Sequence, residues 1–334
     1  MNIEPTAEQQ ALVEAVAGFL REQLPVDRFV KAQNKEHTGT DASWSSLVEL
    51  GLLGIALPES VGGIELGLAE EVLLYREAGR YLVSPSLIAT NIAAKIALAR
   101  GDEKLCGDLV NGAQRAALAV RDGEDKLLLI DSEGCTQILL IAEAPVLLQS
   151  NELATGVMLD AFDQTVSLIE VKTSAELLAK IRAAINASSN SLILQTTLLI
   201  ATYLTGVARA ACDTAVAYAG QREQFGRPIG SFQAIAHICS EMAAQSEAAA
   251  AQTLFAALVM QEEQPEPEFH VASAQLLAVR AALLAARQGI QVHGGVGFTQ
   301  EYTPHLFLKR AHLMERLLAR RPIRKILLEG GTFS

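Results

Sequence analysis

Residues Gly220–His237, GQREQFGRPIGSFQAIAH, interrupt two long alanine-rich helical patterns with two arginines, three glycines and a proline. A connector between packed helices needs only a short polar turn, so this composition asks for a reason. Arg222 and Arg227 carry planar guanidinium forks that match phosphate or pyrophosphate oxygens. Phe225 offers a flat face to a planar ring. Gln233 opens the following helix, where backbone N–H groups favour anions. An ordinary solvated connector has the same composition, and these residues alone leave both readings open.

Outward from this stretch the pattern is helical. Spacing predicts helices near 176–219, with a break around Asn186–Asn190, and at 232–261, 268–289 and 305–328. The acidic, proline-bearing QEEQPEPEF (Gln261–Phe269) separates the second from the third. Long antiparallel helices with short connections imply a four-helix bundle. Between about 109 and 172 the period changes. AALAVRDGEDKLLLI (Ala116–Ile130) reads as a hairpin around RDGED, and TQILLIAEAPVLLQ and QTVSLIEV read as strands. Before that, Thr6 caps a helix in TAEQQALVEAVAGFLREQL. WSSLVELGLLGIALPESVGGIELGLAEEVLLYREAGR (Trp44–Arg80) reads as helix, break, helix, with Gly51 and Gly54 ending the first helix and Pro58, Gly62 and Gly63 forming the turn. The expected architecture is mainly α: an N-terminal helical domain (1–108), a small β domain (109–172) and a C-terminal four-helix bundle (173–334).

Composition narrows the function classes. The chain has 334 residues, half of them apolar, and a net charge of −11. That size exceeds one compact core, and the acidic balance argues against nucleic acid as a partner. Cys106, Cys135, Cys212 and Cys239 form neither a C-x-x-C pair nor a zinc spacing, which suits reduced thiols in a cytoplasmic protein and no metal site. The N-terminus is polar and has no signal-peptide pattern. The longest near-apolar stretch, Leu192–Leu204, falls short of the ~20 residues of a membrane span. There is no P-loop, and HGGVG is not a dinucleotide fingerprint. No Glu-x-x-His suggests a di-iron bundle.

A second glycine-rich loop follows the third bundle helix, GIQVHGGVGFTQEYTPH (Gly289–His305). Gly294, Gly295 and Gly297 let backbone approach a ligand closely, and His293 reads as structural. Taken together, the two loops resemble the flavin-contacting loops of the acyl-CoA dehydrogenase family, an R-x-x-F-G loop and a Q-x-x-G-G loop. LVELGLLGIALPESVGG (Leu47–Gly63) and EEVLLYREAGRYLVSPSL (Glu70–Leu87) resemble that family in the same order. The family fold is a helical domain, a β domain and a four-helix bundle. The resemblance implies FAD as cofactor and an acyl-CoA thioester as substrate. Arg222 would meet the FAD pyrophosphate or adenosine side, and Phe225 and Gln233 would pack against or bond the nucleotide. Gln291, Gly294 and Gly295 would approach its other side through backbone. The nucleotide would be held mainly by a neighbouring subunit.

The sequence departs from the family in three respects. The middle zone is short and lacks the T-E-x-x-x-G-S-D-like stretch that binds flavin and acyl-CoA; LAVRDGEDKLLLI stands there. The family's catalytic glutamate, which removes the α-proton, occupies one of two places, and these hold Leu318 and Thr196 here. The arginine that accompanies the second place is Thr197. Glu315, Glu241 and Glu247 are the nearest acids and read as surface or bundle charges. No catalytic residue is therefore assigned. A short β zone without a base resembles the degenerate subunit of heteromeric acyl-CoA dehydrogenases of bacterial steroid side-chain degradation. That resemblance implies a full-length partner subunit in an α2β2 assembly. A homomeric enzyme with a relocated base and a non-catalytic relative are the alternatives. The basic run from Lys309, with Arg310, Arg316, Arg320 and Arg321, reads as solvated or interface surface.

Overall fold

A computed structural model describes residues 3–31, 41–318 and 323–329. Its contacts divide the chain into two compact units: the described residues of 36–71 and 84–197, and those of 1–35, 72–83 and 198–334.

The first of these holds the β zone. Helix α3 (Asp41–Glu49) ends before Gly51, whose φ of +70° is the left-handed turn that glycine adopts without penalty. Helices α5 (Ser86–Ala99) and α6 (Glu103–Val110) follow, the latter capped by Asp102. Then come β1 (Ala116–Arg121), β2 (Lys126–Ile130), β3 (Gln137–Ile141), β4 (Pro145–Gln149), β5 (Val157–Leu159) and β6 (Leu168–Lys172), and helix α7 (Ala175–Ala187). The sheet order is β4–β3–β1–β2–β6–β5. RDGED makes the expected β1–β2 hairpin. The parallel β1–β3 pairing is not readable from spacing. Alternate residues (Ala117, Ala119; Leu127, Leu129; Ile138, Leu140; Val146, Leu148) form one apolar face against Leu177 and Ile181 of α7. Helix α5 is buried along Ser86–Ala97. Most of its polar side chains find partners within the unit, Asn91 Oδ1 being the exception: Thr90 Oγ1 accepts from Ala116 N at 3.0 Å, and Lys95 Nζ meets Glu71 Oε2 at 2.5 Å. Asn91 Nδ2 donates both to Glu71 Oε1 at 2.9 Å and to the Leu53 carbonyl at 3.1 Å.

The other unit is helical. It contains α1 (Ala7–Gln23), α2 (Arg28–Lys31), most of α4 (Leu68–Arg80), the long part of α8 (Asn190–Gln221), α9 (Gln233–Gln261), α10 (Pro267–His293), α11 (Pro304–Leu318) and α12 (Ile323–Glu329). Thr6 and Gln9 form a reciprocal capping box on α1. The break expected near 186–190 separates α7 from α8. Helices α4 and α8 cross on two glycines: a Cβ on Gly79 would lie 2.0 Å from the Tyr203 carbonyl oxygen, and one on Gly206 would lie 1.9 Å from that of Arg76.

Two expectations change. Arg310 is not surface but fully buried on α11. Its guanidinium donates to the Val83 carbonyl at 3.0 Å and to the Tyr203 hydroxyl, which itself donates to Val83 O at 2.7 Å. Arg28 donates to the carbonyls of Tyr81 and Leu82. The two side chains thus hold the turn after α4, where Leu82 has φ +50°. Burial, with Arg310 nearby as the second cause, lowers the Arg28 pKa to about 10. Arg316 is exposed, whereas Arg320 and Arg321 lie outside the described residues. Secondly, the short apolar stretch at Leu192–Leu204 sits in a 32-residue helix. That helix and Pro267–Phe298 are long and apolar enough to cross a membrane by length and composition alone. Their most apolar windows are 78% and 50% buried inside the protein, and core helices pass the same test.

Candidate functional site

The stretch at 220–237 is a β-hairpin on the end of a helix. Strands β7 (Glu223–Gln224) and β8 (Arg227–Pro228) pair antiparallel around Phe225 and Gly226. Both turn residues have positive φ, +52° and +75°, as in the two-residue turns that match strand twist. Gly226 suits this at no cost, whereas Phe225 is held left-handed against its preference. The Phe225 ring is 93% exposed and meets Phe232 only edge-on, at 6.1 Å. Arg227 stacks over Phe232 at 4.1 Å from its centroid, a contact that uses its face and not its N–H donors, whereas Arg222 makes no ring contact. Its side chain is exposed and has no partner among the described residues. Gln233 is the first residue of α9, whose N-cap is Phe232 with no side-chain cap bond. The Ile235 and Ala236 amides donate to the Phe232 carbonyl at 3.0 Å, which leaves those of Gln233 and Ala234 without a capping side chain.

The second loop is brought to the same end of the bundle by an aromatic stack. Tyr218, one turn before Arg222 on α8, stacks on His293 at 4.2 Å between centroids and 23° between planes. Tyr302 meets both rings edge-on at 6.3 Å. His293 ends α10 and precedes Gly294. Gly294 has φ +65° and ψ −141°, a conformation in which a side chain is strained, and its N–H bonds to the carbonyls of Ile290 and Gln291. A Cβ built on Gly294 or Gly295 meets nothing within 4 Å, so the backbone there lies open, and Gln291 is exposed beside it. Gly297 is closed instead, packed on the Ile290 carbonyl and the His293 side chain. The structure thus brings Arg222 and Phe225 together with Gln291, Gly294 and Gly295 at one end of the helices, around a stack of Tyr218, His293 and Tyr302. Sequence reasoning missed that stack because its three members lie 75 and 9 residues apart. This surface fits a nucleotide: exposed guanidinium groups for phosphate, an exposed ring for stacking and two bare glycines for close approach.

The positions that the resemblance implies for a base hold side chains without a titratable group. Thr196 and Thr197 are buried, and each hydroxyl donates back to the carbonyl four residues earlier, Leu192 and Ile193. Leu318 is buried, and its carbonyl accepts from Gln275 Nε2 at 2.9 Å. The three nearby acids are all engaged. Glu315 pairs with His312 at 3.2 Å, Glu241 accepts from Gln245 at 2.9 Å, and Glu247 pairs with both Arg76 and Arg209. Burial raises the thiol pKa values to about 11 for Cys106, about 12 for Cys135 and about 11 for Cys212, so these are packing residues, not nucleophiles. Among the described residues no cluster of metal-ligating side chains occurs.

Comparisons with known proteins cover the same elements. Residues 6–109 match the acyl-CoA dehydrogenase N-terminal domain and residues 189–317 the acyl-CoA dehydrogenase C-terminal domain. The chain is 30% identical to the acyl-CoA dehydrogenase IpdE2 of Mycobacterium tuberculosis over 94% of both chains. It is 31% identical to the acyl-CoA dehydrogenase FadE34 of the same organism over 92% of this chain, but spans only 45% of FadE34. Among solved structures, the M. tuberculosis ChsE4–ChsE5 complex superposes with a TM-score of 0.78 at 22% identity, over 99% of this chain and 98% of that one. The Tcur3481–Tcur3483 steroid ACAD gives 0.77 at 21%, over 97% and 98%. At those identities the structures establish the fold, and the family follows from the two domain matches and IpdE2: the chain belongs to the acyl-CoA dehydrogenase family.

Proposed function

We propose that this chain is a subunit of an FAD-dependent acyl-CoA dehydrogenase that completes the flavin site and leaves proton abstraction to a full-length partner. One contrast carries the reading. The nucleotide-facing loops keep their chemistry, with Arg222 unpaired and Gly294 and Gly295 open. The two places of the base hold Thr196 and Leu318, neither of which titrates near neutral pH. When bound, the flavin supplies the two-electron acceptor that α,β-dehydrogenation of an acyl thioester needs. Arg222 and the first turn of α9 would hold phosphate oxygens, Phe225 and Gln233 would pack on or bond the nucleotide, and Gln291, Gly294 and Gly295 would meet its other side through backbone.

Two comparisons support a partner. More than half of FadE34 lies outside its match to this chain, and one fold neighbour is a ChsE4–ChsE5 complex. The assembly proposed is a cytoplasmic α2β2 tetramer. Its substrate would be a bulky acyl-CoA of steroid type, a class named for another fold neighbour.

The test uses purified protein, excess FAD, acyl-CoA and an artificial electron acceptor. The chain alone should not turn over, and the complex with its partner should. In that complex Arg222→Ala should weaken FAD retention roughly ten- to a hundred-fold, the size of one charge-assisted bond of ~1.5–3 kcal/mol, with unchanged circular dichroism. Turnover by the chain alone that disappears on replacing Glu315, Glu241 or Glu247 would overturn the assignment in favour of a relocated base.

A further inference from the structure

His293 is 6% exposed, ends α10 and touches the open glycines, yet nothing in the proposed role of the two loops uses it. Its Nδ1 lies 2.7 Å from the Gly289 carbonyl oxygen. A carbonyl can only accept, so Nδ1 carries the proton. Burial lowers the imidazole pKa, opposed by this bond, and keeps the ring neutral near pH 7. A neutral ring protonated at Nδ1 has its lone pair at Nε2. Among the described residues no donor reaches Nε2, and that atom is not among those sealed from solvent without a partner. The ring cannot turn to seek one. Tyr218 covers a face at 4.2 Å, Tyr302 abuts an edge at 6.3 Å, and Gly297 packs on its Cβ. Flipping the ring would abandon the bond to Gly289. An acceptor fixed in direction and still open to the surface is placed to take a hydrogen bond from a ligand in exchange for water.

We infer that His293 Nε2 is a hydrogen-bond acceptor for the nucleotide at this surface, receiving a sugar hydroxyl or ring N–H of FAD beside Gly294 and Gly295. The inference rests on the flavin reading above and adds to it a positioning residue that selects a donor. The Nδ1–Gly289 bond sets the tautomer, and the Tyr218–Tyr302 cage sets the direction. This role is opposite to that of a proton donor, since the proton stays at Nδ1.

The experiment is 15N NMR of the imidazole in histidine-labelled protein, as assembled with its partner, together with FAD titration of two variants. His293→Phe keeps a ring for Tyr218 but deletes the acceptor. His293→Gln restores an acceptor oxygen near the Nε2 position. The wild-type His293 Nε2 signal should be of the unprotonated type and should move upfield when FAD binds. His293→Phe should bind FAD roughly three- to ten-fold more weakly, the span of one neutral hydrogen bond, and His293→Gln should recover most of that loss. An Nε2 that is protonated, or that does not shift although FAD is bound, overturns the inference and leaves the flavin reading standing. Equal losses in the two variants overturn it likewise. Wild-type assembly that binds no FAD overturns the flavin reading and this inference with it.

Discussion

The α4–α8 crossing gives a prediction with a magnitude set by coordinates. Gly206→Ala would place a methyl carbon 1.9 Å from the Arg76 carbonyl oxygen, 2.8 Å from Arg80 N and 3.0 Å from the Arg76 carbonyl carbon. A carbon–oxygen contact relaxes at about 3.3 Å, so the helices must part locally by roughly 1.4 Å. No rotamer change relieves this, because the opposing atoms are backbone. Such overpacking belongs at or above the top of the usual ~1–3 kcal/mol range. Alanine returns about 1 kcal/mol through helix propensity, which leaves a net loss of about 2–3 kcal/mol. Parting the helices also strains the Arg80–Asp213 contact at 3.1 Å and the Tyr203–Val83 bond at 2.7 Å. Gly79→Ala meets the mirror-image obstacle, 2.0 Å from the Tyr203 carbonyl oxygen. One separation relieves both clashes. The double variant should therefore cost about as much as either single one, with a coupling of about 2 kcal/mol. Urea unfolding followed by far-UV circular dichroism measures this, and a thermal midpoint should fall by roughly 5 °C or more. A Gly206→Ala protein as stable as wild type, or two costs that simply add, would refute the close-contact argument.

Lys95→Met should destabilise by about 3–5 kcal/mol in the same assay, because it strands the fully buried Glu71 carboxylate. Adding Glu71→Leu should recover most of that loss, and a double variant worse than the single one would count against it. Burial depresses the His293 pKa below its usual 6.5, so below that pH the unfolded chain binds more protons than the folded one. This contribution to stability is complete above pH 6.5 and is lost as pH falls through the lowered folded value. Between pH 5 and 6.5 the stability of His293→Phe should therefore depend on pH less steeply than that of wild type. His270, which burial also lowers, keeps part of the slope. An unchanged slope would show that His293 titrates normally in the fold.

Much of this protein was written into local chemistry. Thr6 and Gln9 fix a helix start within three residues, RDGED turns a hairpin, and the alternation in Ile138–Leu140 or Val146–Leu148 assigns a strand its inner face. Such features are readable because the interacting groups are neighbours in sequence. The two glycine-rich loops were legible as motifs for the same reason, as were the threonine at 196 and the leucine at 318. What the sequence left undecided depends on contacts between distant residues. The exposed, left-handed Phe225 follows from a hairpin of two-residue strands too short to show a period. The parallel β1–β3 pairing needs the tertiary register. A basic run read as surface buries Arg310, because only the packed helices bring Tyr203 Oη and the Val83 carbonyl to its guanidinium. The meeting of the Arg222 and Gly294 loops depends on one stack between Tyr218 and His293, 75 residues apart. Helical spacing predicts each of their faces but not which faces meet, since hydrophobic burial is non-directional and only side-chain shape in the assembled bundle selects the pairing.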